Sequence, residues 1–436
     1  MTRPNLCFVC VDCLREDFVG TDHADTPFID GLAADGISYT DMFATATTTT
    51  PCVASVMTGT YSERNGVYSL EEARLAESVP TLAEEFSAAG YDTAALVTGP
   101  LIEDTGLDRG FDTYRYRDRR EELLGDWFEE AAGVLEGLAE PFFCYLHLWE
   151  IHDPIRVPEG YDDPQYGRYP YARTLSALDR RLEALCDRLL ENTAIALHGD
   201  HGEAIAYRGG PLHWVSKFLR TGVRYGLGVD TRGLERRLKR RFDRDPPIPD
   251  HFMEDGHGEN VFDFVANVPF VLSGPGIDDA TVNAQVRQVD VAPTLLDLAG
   301  IERDEEGETE RDEEGEIERE KEAKGEERAE VRMDGESLLP PDGVSDRDAY
   351  IRACGKSLLR EENWQRAIRA GGYKYVSYPN RDWEYELYDL EADPLELSPI
   401  EDDRIATRLR NRMPEEGARD GERLQIDGLL KDLGYK

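Results

Sequence analysis

The side chains best suited to metal or acid–base chemistry sit in short stretches that border apolar runs. Asp12 closes the run Asn5–Val11. A carboxylate at the end of a buried strand is costly unless it pairs, accepts hydrogen bonds or binds a metal. Capping the next helix is an equally good role for it at this point. His198-Gly199-Asp200-His201-Gly202-Glu203 follows the run Thr193–Leu197. An Asp-His pair between glycines that permit close approach suits a hard or borderline cation; an ordinary polar turn is the alternative. Phe142–Leu148 leads through His147 into Glu150, His152 and Asp153, and Asp255–Asn260 places His257 ahead of the run Pro269–Leu272. Any one of these histidines alone reads as structural, but several clusters of Asp, His and Thr at strand ends are harder to dismiss. Thr47-Thr48-Thr49-Thr50-Pro51, then an apolar run to Gly59, has a helix start and stop. The free N–H groups and positive dipole of a helix N-terminus suit a tetrahedral anion. A hydroxyl there becomes a nucleophile if a metal lowers its pKa; otherwise it is a plain threonine-rich cap.

These stretches need a scaffold that brings strand ends together. Asn5–Val11 is a continuous apolar run, the pattern of a strand covered on both faces. Further strands are expected at Thr93–Val97, Phe142–Leu148, Thr193–Leu197 and Pro269–Leu272. Helices are expected at Ser78–Ala89, Asp126–Leu138, Tyr171–Leu190 and Asp290–Leu298. Such alternation argues for a mostly parallel α/β sheet, whose chemistry gathers at the carboxyl ends of the strands. Cys7, Cys10 and Cys13 have metal-site spacing, but three-residue steps along a strand point to alternate faces, so they are expected as small core residues.

The formal net charge of the 436 residues is −40, from 90 acidic side chains against 8 Lys and 42 Arg. Such a surface excludes nucleic acid and anionic membranes as partners. Because the acid is spread over the whole chain, it suits a high-salt cytosol better than a polycationic partner. No signal peptide or membrane-spanning run is visible at the N-terminus, so a cytoplasmic location is expected. Seven cysteines fit a reducing compartment. Residues 214–255 read as a basic insertion over the active-site face or as a solvated helix and loop. Residues 302–332 are an acidic low-complexity loop with a near-duplicate, Arg303–Glu310 and Arg311–Glu318. Residues 333–436 read as a smaller lobe, with strands at Trp364–Arg369 and Tyr373–Ser377, packed on a main domain of residues 1–301.

In this order, the motifs resemble the sulfatase family of the alkaline phosphatase superfamily. Pro4-Asn5 through Asp12-Cys13-Leu14-Arg15-Glu16-Asp17 is similar to its opening strand. Thr49-Thr50-Pro51 through Met57-Thr58-Gly59-Thr60-Tyr61 and Asn65-Gly66 is similar to its nucleophile helix. Asp200-His201-Gly202-Glu203, Gly274-Pro275-Gly276, Asp290 through Pro293-Thr294 to Gly300, Asp334-Gly335 and Tyr388-Asp389-Leu390 continue the pattern. The resemblance implies a three-layer α/β sandwich with a large, mostly parallel central sheet and a smaller C-terminal α+β lobe. It also implies a divalent metal (Ca, Mg, Mn or Zn) held by Asp12, Thr49, Asp200 and His201. Thr49 would attack a small-molecule sulfate or phosphate ester, forming a covalent intermediate. His152 and His257 would contact the ester and protonate the leaving group, with Arg15 and His147 also at the substrate.

Two departures refine this expectation. Family sulfatases mature a cysteine or serine to formylglycine next to a Pro and an Arg; here Thr49 and Pro51 are followed by Val53, and threonine cannot be so converted. The family's Lys-x-His anion clamp is missing, and no lysine precedes Lys217. Threonine nucleophiles occur in superfamily relatives acting on phosphodiesters, phosphonates and phospholipid headgroups. Phosphodiester or phosphonate cleavage is therefore expected ahead of sulfate. The alternatives are a sulfuric ester hydrolase proper, a headgroup transferase and a metal-binding, non-catalytic member. One ion is expected rather than two, because Glu150, His152 and His257 fall short of a full second ligand set.

Overall fold

A computed structural model describes residues 3–71, 74–118, 121–206, 211–243, 246–254, 256–302, 331–355, 358–415, 424 and 426–432. Almost all of the acidic 302–332 loop lies outside these residues. The strands of the main sheet are β1 Asn5–Val11, β2 Ile37–Phe43, β3 Asp92–Val97, β4 Thr113–Tyr116 and β5 Phe142–Leu148. They are followed by β6 Thr193–Gly199, β7 Asn267–Ser273, β8 Ala280–Val282 and β9 Val286–Arg287. Their order is β4-β3-β5-β1-β6-β7-β2-β8, with β9 pairing β2. The strands from β4 to β6 run parallel, and β7 is antiparallel to both β6 and β2.

The uninterrupted apolar character of β1 is explained by what lies on each side. Leu6, Phe8 and Cys10 face a core shared with the helices Thr49–Thr58, Leu82–Ala88 and Val291–Leu298. Cys7, Val9 and Val11 face a second core shared with Pro27–Asp35, Trp127–Glu136 and Pro170–Cys186. Burying each such side chain contributes about 1.5–3 kcal/mol, so both helical layers hold the sheet flat between them. This is the expected α/β sandwich. The strand at β2 was not expected, because Ile-Ser-Tyr-Thr-Asp-Met-Phe alternates and lacks a continuous apolar run. Among the described residues no helix is long and apolar enough to cross a membrane. Residues 211–243 are helical over much of their length, including Arg232–Phe242.

A second sheet of four antiparallel strands, β10 Ala349–Ala353, β11 Gln365–Ala370, β12 Tyr373–Ser377 and β13 Glu386–Asp389, makes a smaller lobe. A fully buried cation helps to fasten it to the main domain. Lys374 Nζ donates to Val261 O at 2.8 Å, pairs with Asp263 and lies 2.8 Å from Glu396 Oε1. Removing one partner of a buried pair leaves the other charge uncompensated. Lys374→Ala is therefore expected to lower stability by about 3–5 kcal/mol, measured by urea unfolding at constant salt. A loss under about 1 kcal/mol would show that this cation does not fasten the lobe.

Candidate active site

The site lies where β5, β1 and β6 end side by side. Cys10 is in register with His147 on one side and His198 on the other, so the three strands finish level. Asp12 follows β1, and its N–H donates to Leu148 O at 2.8 Å; Asp200 and His201 follow β6. Gly202 runs so close to the neighbouring chain that a Cβ there would lie 2.5 Å from Phe264 O. Thr49 opens the helix Thr49–Thr58 after an extended Thr48. The approach to that helix is anchored by the small lobe: Arg352 N donates to Thr45 O at 2.9 Å and Thr47 N to Arg352 O at 3.0 Å.

Asp12, Thr49, Asp200 and His201 are all fully buried and meet one another. Thr49 Oγ1 lies 3.3 Å from Asp12 Oδ2 and 3.4 Å from His201 Nε2. Asp200 Oδ1 accepts from the N–H groups of Cys13 at 3.0 Å and His201 at 2.7 Å. Among the described residues its Oδ2 has no hydrogen-bond partner, and it lies 3.4 Å from His201 Nε2. His201 Nδ1 is 3.0 Å from Gly202 O, a contact that leaves Nε2 carrying the lone pair. A buried carboxylate oxygen without a partner is expensive unless a positive charge meets it. Neighbouring donor atoms 3.3–3.4 Å apart have the spacing of ligands about 2.0–2.2 Å from a shared ion. Carboxylate, hydroxyl and imidazole donors suit a divalent cation, so these residues fit the metal that the resemblance implies.

His147, expected at the substrate, lies fully buried with Nε2 3.8 Å from Asp12 Oδ2, and neither ring nitrogen has a hydrogen-bond partner. Asp12, His147 and Asp200 present ligand atoms within 4.8 Å of one another. Arg15, also expected at the substrate, is fully buried. It makes a 2.8 Å pair with Asp17, lies 3.6 Å from Asp250, and donates to Glu203 O at 2.9 Å and Pro249 O at 2.6 Å. Its guanidinium thus braces the loop that carries Glu203. His152 and His257 come together beside the cluster: their ring centroids are 5.0 Å apart, and those of His201 and His257 4.3 Å. His152 stacks on Trp149 and borders a cleft also lined by Arg117, Glu150 and Arg156.

The charge states follow from burial and crowding. Burial and then the repulsion of Asp200 raise the Asp12 pKa well above the carboxylate range. Burial acts in the same sense on Asp200, but His201, His147 and two backbone N–H groups outweigh it and hold this carboxyl low. Burial pushes His147 down to about 4 and His152 to about 3, so both are neutral near pH 7.

One expectation needs correction. Cys7 and Cys10 lie in the two apolar cores on opposite faces of β1, whereas Cys13, equally buried, sits among polar groups. The strand ends at Val11, and the chain turns through a left-handed conformation at Cys13, φ 67°. Its Sγ lies 3.0 Å from Asp12 Oδ1, 3.2 Å from Glu203 Oε2, 3.7 Å from His257 Nδ1 and 3.9 Å from His201 Nδ1. Strand alternation failed at the residue where the strand stops. Two positioning residues carry no signal in the sequence: Tyr171, which donates to Cys13 O at 2.7 Å, and Gln288, whose side chain joins Thr45 to Gly199.

Comparisons with known proteins show the family and the fold. The family model described as Sulfatase matches residues 4–301. An ulvan-active sulfatase of Formosa agariphila is 24% identical, covering 92% of this chain and 77% of that one. A choline-sulfatase of Rhizobium meliloti is 22% identical, covering 91% and 82%. Among solved structures, the phosphonate monoester hydrolase of Agrobacterium radiobacter superposes with a TM-score of 0.65 at 18% identity, over 94% of each chain. A protein solved with its substrate D-glucosamine-2-N,6-O-disulfate superposes with a TM-score of 0.63 at 17% identity, over 94% of this chain and 96% of that one. This chain belongs to the sulfatase family and is a hydrolase of sulfuric or phosphoric esters.

Proposed function

We propose that the chain cleaves a phosphodiester or phosphonate monoester, ahead of a sulfate ester, through a covalent intermediate on Thr49. The observation that carries this reading is Thr49 Oγ1 at a helix N-terminus, between Asp12 Oδ2 and His201 Nε2, where sulfatases carry formylglycine. A divalent ion held by Asp12, Thr49, Asp200 and His201, with His147 behind the two carboxylates, would lower the hydroxyl pKa and offset charge on the ester oxygens.

The residues of the chain then divide the work. Thr49 Oγ1, its proton passed to solvent because the ion would lower the hydroxyl pKa, attacks phosphorus in line. The bond to the leaving oxygen breaks, and His257 supplies the proton that makes it an alcohol, with the neutral His152 ring beside it. Water then attacks the phosphorus on Thr49, releasing the acid and restoring the hydroxyl. The cleft beside His152, with Arg117 and Arg156, takes the leaving group. Val53, where family sulfatases have an arginine, is buried in a core and offers nothing to the anion. The relatives named as sulfatases favour a sulfate ester as the second reading.

Thr49→Ala is expected to reduce kcat at least about 10³-fold, with urea unfolding shifted by no more than about 1.5 kcal/mol. Undiminished turnover would remove Thr49 as the nucleophile. A nitrophenyl panel of sulfate, phosphate monoester, phosphodiester and phosphonate, run in high salt with each of Mg²⁺, Ca²⁺, Mn²⁺ and Zn²⁺, should favour the phosphodiester or phosphonate. A preference for sulfate would establish the second reading. Metal binding should also raise the unfolding temperature of chelator-treated protein, by about 2.7 kcal/mol of stability at a hundredfold excess over Kd. If none of the four ions shifts the transition, the proposed metal site fails.

A further inference from the structure

We propose that a second cation, of the zinc class, binds beside the first between Cys13 Sγ, Glu203 and His257, with His152 as the fourth donor. The two histidines that looked insufficient for a second ion are joined by two groups that the sequence left without a role.

Three distances carry the argument. Cys13 Sγ to Glu203 Oε2 is 3.2 Å, Cys13 Sγ to His257 Nδ1 is 3.7 Å, and His257 Nδ1 to Glu203 Oε2 is 3.1 Å. A tetrahedral ion with a sulfur at about 2.3 Å and nitrogen and oxygen at about 2.0–2.1 Å separates its ligands by about 3.3–3.6 Å. The observed triangle is within a few tenths of an ångström of that figure. Cys13, His152 and His257 also present ligand atoms within 4.8 Å of one another. His152 Nδ1 lies 2.6 Å from Asp153 O, the backbone contact that fixes a ligating imidazole to offer Nε2. Thiolate and imidazole select a borderline or soft ion, whereas the oxygen-rich Asp12–Asp200 group tolerates a hard one.

Charge points the same way. Asp12, Asp200 and Glu203 are buried in one site, and the ion pairs of Asp12 and Asp200 among the described residues are to imidazoles, His147 and His201. One divalent ion balances two of three carboxylates, and an anionic ester adds to the excess. The lysine clamp that would meet this charge is missing. A second divalent cation supplies positive charge where the ester must approach, and with both imidazoles ligating it the leaving oxygen would meet that charge in place of a proton from His257.

The inference rests on the metal-dependent reading above, and metal stoichiometry separates the two. Chelator-treated protein is reconstituted with Zn²⁺ or Co²⁺ in high salt, passed through a desalting column and assayed for bound ion. Two ions per chain are expected, with a sulfur-to-cobalt charge-transfer band in the near ultraviolet of the Co²⁺ form. Cys13→Ala should hold one ion and lose that band; His257→Ala should also hold one, a second variant in case the first does not fold. One ion in the native chain without the band overturns the second site while leaving the first; one ion with the band means that Cys13 joins a single ion and overturns the pair of separate sites. No bound ion overturns both readings.

Discussion

Like charges crowded into a space without water are the condition around which this molecule is organised. Asp12, Asp200 and Glu203 are each fully buried near one another at the ends of β1 and β6. Such a group holds together only if something divides the repulsion. Backbone N–H groups quiet one oxygen of Asp200, imidazoles shield the other, and Arg15 fastens the loop of Glu203 from behind without entering the cluster. What remains uncompensated is negative charge, which the proposed cation would meet.

The sheet explains how so many ionisable groups reach one place. Parallel neighbours end on the same edge, so three strands with unrelated sequence positions deliver Asp12, His147 and Asp200 to one level. The antiparallel β7 pairs with β6 on the side away from β1 and carries the sheet on to β2. The chain between β6 and β7 passes back over the site, bringing Glu203 and His257 with it. The left-handed turn at Cys13 belongs to the same scheme. It costs about 1–2 kcal/mol, offset by the N–H that reaches Asp200 and the carbonyl that accepts from Tyr171.

Much of this was legible because the informative elements are the buried ones. The continuous apolar runs of β1, β5, β6 and β7 announce strands covered on both faces, and Thr49-Thr50-Pro51 announces a helix start. The ends of these elements marked Asp12, Thr49, Asp200, His201, His152 and His257, which the structure brings together. The strand β2 escaped because its polar and apolar residues alternate. Arg15 and His147, expected at the substrate, make long-range contacts to Asp250 and Asp12 respectively. Such contacts join residues more than a hundred positions apart, and no local pattern encodes them. Cys13 was misread for a smaller reason: strand periodicity was carried two residues past the strand.

The fastening of the small lobe bears on what the smallest working unit can be. The matched family region ends at residue 301, and every proposed ligand and catalytic residue precedes that point. Yet β10 pairs with the segment entering the Thr49 helix. Lys374 holds the segment that follows His257. Gly258 touches Gly355 so closely that a Cβ on it would lie 2.9 Å from the Gly355 Cα. A fragment cut after the last proposed ligand would keep all the reactive groups and lose the frame that aims two of them. The boundary that sequence similarity draws therefore falls inside the functional unit, and the lobe is as much a wall of the active site as the sheet is its floor.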